Sequence, residues 1–359
     1  MAVTVCEVTS APSQTAPPAP GTLLARATDL REELVADAAR LEREGVTRAD
    51  TARLAEAGLY ATYAPVELGG VGTDEQRAVI ELLAGASPDL WFVWFQHGPV
   101  LKMVASTVNE ALRETYLADL VSGAVQGGVS YSHVRTPKPS IFAERDGDAY
   151  VLTGTQPWCT GWGLVDVLVV GAVVRETDEV VFGLVPACEG PGLRSTGLLD
   201  LAAMGGTSTH ALAFDGLRME ASQVLNLLPY KDFSAVDASA NTNVQPSTFG
   251  IALAALDLLE ARSPETAAAL RERVLAVRAT AYDLLDNAPF NQRNDDRLAA
   301  RAQALLLGIE SATALLTARG GQGMDLADPA QRLLRAAAFQ VVHSQAAGIR
   351  AATLEALRA

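Results

Sequence analysis

The side chains able to move protons or bind metals are few and scattered. Four histidines and three cysteines occur in 359 residues, with no HExxH, no CxxC and no Cys/His cluster of ligand spacing, so no metal centre is expected. The P-loop signature, a GxGxxG following a strand and a GxSxG elbow are all missing, which excludes three common phosphate, dinucleotide and hydrolase sites. Arg332, Arg335, Phe339 and His343 recur at steps of three, four and four, one face of a helix. An imidazole there suits proton transfer in a dry pocket near neutral pH, and equally suits a satisfied core position. His97 closes an aromatic run and either lines a substrate pocket or caps a helix. Ser132 and His133 open a loop whose Arg135 and Lys138 either meet a phosphate or form a solvated turn.

The elements that must position these residues fall into three zones. Leu23, Ala27, Leu30, Leu34, Ala38 and Leu41 mark one face of a first helix. Asp50 reads as the N-cap of a short helix ending at Gly58, Thr73–Gln76 as a capping box, and Asp89–Ala105 as one buried helix, apolar almost all round. From about residue 123 the pattern becomes strand-like: Val125–Ser130, Ser140–Glu144, Ala149–Thr155, Val165–Val174, Val180–Pro186 and Ala211–Phe214. Asp146-Gly147 is a hairpin turn, and so many short strands predict a small barrel or sandwich. Helices return near residue 232; Ser263-Pro264 and Asp328-Pro329 are N-cap and first-turn signals, and Arg297–Ala318 and Pro329–Leu357 are long and amphipathic. The expected divisions are a disordered leader over 1–21, a helical domain over 22–122, a β domain over 123–231 and a helical bundle over 232–359.

A net charge of −14 argues against nucleic-acid partners and against an anionic membrane surface. No apolar stretch is long enough to span a bilayer, and the Pro- and Ala-rich start lacks a secretory signal pattern. Three cysteines without a framework fit a reducing, cytoplasmic setting.

The order helices, β block, helical bundle resembles the acyl-CoA dehydrogenases and their flavin-monooxygenase relatives, and four segments agree with that resemblance: Gly58–Gly72, Asp148–Thr160, Met204–Asp215 and Gly320–Arg332. It covers about residue 23 to the C-terminus and implies an α+β chain of the acyl-CoA dehydrogenase fold, with an N-terminal α-helical domain, a middle β-barrel and a C-terminal helical bundle. It also implies FAD, with FMN or a reduced flavin as alternatives. The family's ring-binding positions match Ser130, Trp158 and Thr160, the last two expected on one face of one strand; Trp158 as barrel core is the alternative. Gly320 and Gly321 match the turn that approaches the adenosine half.

Three departures from the family pattern bear on the reaction. Ala327 stands at the usual glutamate base, and the region Asn241–Asn243 offers no carboxylate in its place. Asp325 is the substitute base to consider. The arginine segment for the FAD pyrophosphate is missing around Arg262, and the closing acidic motif is absent. His343 lies at a spacing where the two-component monooxygenases carry a histidine, although Ala336 replaces their aspartate. The resemblance therefore implies a flavin oxidoreductase acting on a free or carrier-tethered acyl thioester. The alternatives are a monooxygenase fed by a separate flavin reductase, or a non-redox binding subunit. Homodimers or homotetramers packed through the C-terminal helices complete the expectation, with His97, Ser132 and His133 as substrate-contact candidates.

Overall fold

The structure is a computed structural model describing residues 22–136 and 138–358. The expected leader over 1–21 lies outside the described residues. Six helices come first: α1 (Leu23–Glu44), α2 (Arg48–Glu56), α3 (Thr73–Ala86), α4 (Pro88–Phe95), α5 (His97–Ser106) and α6 (Glu110–Ser122). Eight strands follow: β1 (Gly127–Ser130), β2 (Ile141–Asp146), β3 (Ala149–Cys159), β4 (Val167–Val174), β5 (Glu179–Pro186), β6 (Leu193–Leu198), β7 (His210–Met219) and β8 (Val224–Pro229). The rest is helical: α7 (Tyr230–Ala240), α8 (Pro246–Glu260), α9 (Pro264–Asn287), α10 (Asn294–Arg319), α11 (Pro329–Val342) and α12 (Ala347–Ala356). Among the described residues no helix is long and apolar enough to cross a membrane.

The strands form one sheet in the order β6-β7-β3-β2-β4-β5-β8, and no ladder joins β6 to β8. The β region is thus a curled open sheet by its pairing, where a closed barrel was one expectation. One edge of β4 is shared end to end: β1 pairs in parallel with Val167–Val170, and β2 takes Val173 and Val174. The uninterrupted apolar run of β4 follows from its burial on both faces. Leu168, Val170, Ala172 and Val174 point into a core enclosed by the sheet, whereas Val167, Val169 and Val173 pack with the helices. β6 and β8 escaped the sequence reading because β6 is a largely exposed edge strand, Leu-Arg-Ser-Thr-Gly-Leu, without alternation.

Several local expectations are corrected. Asp50 is not the N-cap of α2; Thr47 is, and Asp50 is its reciprocal partner three residues on. The Thr73 segment forms no capping box, since α3 begins at Thr73 and Glu75 Oε1 instead accepts from the amide of Leu24 at the start of α1. The buried aromatic helix is broken at Gln96, where Pro99 has no N–H to give back to Phe95. The last long helix is likewise two, α11 and α12, parted at Ser344 with φ +51°. Asp328 does cap α11, accepting from the amide of Ala330 at 2.9 Å.

The helical regions close on each other tightly. A Cβ on Gly250 of α8 would sit 2.1 Å from the carbonyl oxygen of Glu81 in α3, so only glycine permits that approach. A polar junction ties all three zones together. Arg335 of α11 grips both carboxylate oxygens of Glu42 in α1 at 2.7 Å, and the amide of Gly206, between β6 and β7, donates to Asp89 of α4 at 2.8 Å. Burial raises the Asp89 carboxyl to about 6.

Candidate functional site

Ser130 ends β1, fully buried, and its hydroxyl has no hydrogen-bond partner. Such an atom is unusual in a folded interior and is free to hydrogen-bond a further group. Thr160 lies close by, its carbonyl oxygen facing Gly128, two residues before Ser130. The Thr160 hydroxyl is engaged with that of Thr209 at 3.0 Å, and Thr209 in turn meets Thr207 at 2.7 Å. Trp158 is 53% exposed, a large apolar ring left at the surface, so the barrel-core alternative does not hold. The expected shared face of Trp158 and Thr160 is not found. A register shift between Gln156 and Cys159 interrupts the alternation, β3 stops at Cys159, and Thr160 is buried beyond its end.

The residues expected near substrate divide by how their polar atoms are used. His97 is buried in contact with Tyr60, donates from Nε2 to the carbonyl of Leu120 at 3.0 Å, and accepts at Nδ1 from the amide of Gly127 at 3.0 Å. His133 likewise donates from Nε2 to Gly171 at 2.8 Å and accepts at Nδ1 from Ser140 at 3.2 Å. Burial lowers both imidazoles to about 4, so they stay neutral at pH 7. Ser132 accepts from the side-chain amide of Gln156 at 2.8 Å. All three hold backbone or neighbouring side chains. Arg135, in the same loop, pairs with Asp237 at 3.0 Å.

His343 is different. It sits at the C-cap of α11, its ring stacked on Phe339 at 5.1 Å and edge-on to Phe92, Phe95 and Trp91. Its carbonyl accepts from Arg301 at 2.9 Å, but its Nδ1 is enclosed without a partner. Burial, then the charges of Arg301 and Arg135, push it to about 3. Arg301 itself is buried and bonded only to backbone carbonyls, and desolvation lowers it to about 10. Sequence reading missed this arginine, since its carbonyl partners lie in distant segments.

The remaining candidates lie in the segment joining α10 to α11. Gly320 and Gly321 form its exposed first turn, with φ +59° at Gly320. Asp325 is exposed, and its Oδ1 accepts from the amide of Ala327 at 2.9 Å. Ala327 is exposed as well.

Comparison with known proteins agrees with this architecture. Residues 23–124 match the family model described as "Acyl-CoA dehydrogenase, N-terminal domain". Mitochondrial isovaleryl-CoA dehydrogenase of Pongo abelii is 29% identical over 190 residues, which is 48% of this chain and 44% of that protein. Dibenzothiophene monooxygenase of Rhodococcus qingshengii is 30% identical over 212 residues, 56% of this chain and 48% of that protein. The aligned stretches thus span about half the length of these relatives. A glutaryl-CoA dehydrogenase from Mycobacterium smegmatis, solved in complex with FADH2, superposes with a TM-score of 0.80 at 16% identity, covering 93% of both chains.

Proposed function

From the match over residues 23–124 and the shared fold, we propose that the chain is a flavin-dependent oxidoreductase of the acyl-CoA dehydrogenase family, acting on an acyl thioester or a related small molecule. The observation that carries this reading is the buried, unpartnered hydroxyl of Ser130, with Thr160 next to it and the exposed ring of Trp158 near the end of β3. These residues suit a flavin ring: Ser130 offers a hydroxyl to its polar edge and Trp158 a flat apolar face. When bound, the flavin supplies the two-electron acceptor. The chain's own part is to orient it, to keep water from the helical side, and to leave the thioester's α-proton without the family's usual base. Ala327 has no titratable group, and Asp325, exposed and turned back on its own loop, is poorly placed for that task. Ordinary saturated acyl-CoAs are therefore expected to be poor substrates. We place Gly320 and Gly321 against the adenosine half of FAD, and self-association at the C-terminal helices.

A second reading, a monooxygenase supplied with reduced flavin by a reductase, is favoured by His343. Its unpartnered Nδ1 lies in a water-poor aromatic setting, where the neutral imidazole is free to hydrogen-bond a group on the ligand. The test begins with the absorbance spectrum of the purified protein and a flavin titration. Trp158→Ala is expected to weaken flavin binding by about 1–3 kcal/mol. Failure of the native protein to bind oxidised or reduced flavin overturns both readings. Anaerobic bleaching by an acyl-CoA selects the first, and substrate-dependent oxygen use with reduced flavin selects the second.

A further inference from the structure

One aromatic cluster carries three enclosed polar atoms that the fold leaves unused. Phe95, the last residue of α4, is its hub: the ring centroids of Trp91, His343 and Tyr63 lie 5.3, 5.8 and 6.4 Å from its own. Trp91 Nε1, the Tyr63 hydroxyl and His343 Nδ1 all lack a hydrogen-bond partner. Trp91 and Tyr63 are only 1% and 8% exposed. Their neighbours of the same type show what the fold does when it needs such groups for itself. Trp94, one turn along α4, donates its indole N–H to the carbonyl of Leu59 at 3.2 Å, and Tyr60 hydrogen-bonds Thr51.

The unused groups are also held in place. The Tyr63 ring lies against Gly98, where a Cβ would come within 2.8 Å of a ring carbon. Lys102 Nζ sits 5.1 Å from the centre of the same ring. Desolvation lowers this ammonium. Phe95, Phe339 and His343 are partly exposed and form the outward side of the cluster.

We propose that this cluster recognises the acyl part of the substrate, and that the acyl group is flat and carries an oxygen acceptor, a ring hydroxyl or a carbonyl. Describing the ligand as substrate rests on the oxidoreductase reading above. An indole N–H can only donate, and a neutral tyrosine hydroxyl donates readily, so the two demand an acceptor. The surrounding rings demand a planar partner, and Lys102 at the edge favours partial negative charge on the oxygen. A saturated alkyl tail leaves both donors buried and unpaired, and a site of this kind discriminates strongly against an analogue that lacks the acceptor.

The test uses the full chain loaded with flavin and three probes: para-hydroxyphenylpropanoyl-CoA, phenylpropanoyl-CoA and octanoyl-CoA, each titrated calorimetrically. The hydroxyaryl thioester is expected to bind roughly tenfold tighter than the phenyl one, and octanoyl-CoA weakest. Tyr63→Phe and Trp91→Phe are each expected to bring the hydroxyaryl and phenyl affinities towards parity, with the flavin spectrum unchanged. Equal affinities in the native chain, or discrimination that survives both substitutions, overturn the proposal and leave ordered water as the partner of these atoms. The same titrations on the flavin-free chain, read by tryptophan fluorescence, separate the two claims. Discrimination without any flavin binding keeps the aromatic site and removes the oxidoreductase reading; flavin binding without discrimination does the reverse.

Discussion

His97 and His343 are both imidazoles packed against aromatic rings, His97 on Tyr60 and His343 among four, yet their nitrogens are used differently. At the junction of α5, α6 and β1, both nitrogens of His97 are spent on backbone groups of Leu120 and Gly127. At the end of α11, His343 Nδ1 is equally enclosed and meets nothing. Burial alone therefore does not distinguish the two; the hydrogen bonds made by their ring nitrogens do.

The comparison can be broken most directly by truncation. His97→Ala leaves a cavity and strands a carbonyl and an amide, and is expected to cost about 3 kcal/mol or more in urea unfolding. A loss below about 1 kcal/mol would show that the latch contributes little. The next effect is in pH. His97 and His133, at about 4 in the folded chain against about 6.5 unfolded, bind protons more readily once unfolded. Stability is then full above pH 6.5 and falls as the pH drops towards 4, by roughly 1.4 kcal/mol per pH unit for each histidine. Asp89, raised to about 6, acts in the opposite sense, favouring the fold as pH falls through 6. A midpoint denaturant concentration independent of pH between 6.5 and 4.5 contradicts the histidine assignment.

His343→Leu removes an unpartnered nitrogen rather than a bond, so stability is expected to change by less than about 1 kcal/mol in either direction. In the monooxygenase reading the same variant binds reduced flavin normally but releases more hydrogen peroxide per flavin consumed. Equal peroxide yields would place His343 with His97 as a structural group. The smallest effect is at Asp325, where Asp325→Ala is expected to alter stability by no more than about 0.5 kcal/mol and to leave turnover unchanged. A large loss of turnover there would return a carboxylate base to the site.

The sequence revealed the helical zones and most strands because they rest on local periodicity. The first helix buries Leu23, Ala27, Leu34, Ala38 and Leu41, all on the expected stripe. Where periodicity was silent the reading stopped short: β6 is polar and exposed, and the break at Ser344 has no glycine or proline to announce it. The site was harder to read for a different reason. His133 finds its partners at Gly171 and Ser140, and His97 at Leu120 and Gly127, none at a spacing that a local pattern encodes. Tyr63 and Trp91 were visible only as parts of a motif and an apolar run. What distinguishes them is the missing partner, a property of the assembled interior.

The grip of Arg335 on Glu42 spans 293 residues of chain. During synthesis the apolar stripe of the first helix can close early against α3 and α4, but the carboxylate of Glu42 must wait for Arg335 until nearly the whole polypeptide has been made. Contacts this distant in sequence carry a large loop-closure cost before they give anything back, so the chain is expected to fold slowly and to complete its helical core only when α11 arrives.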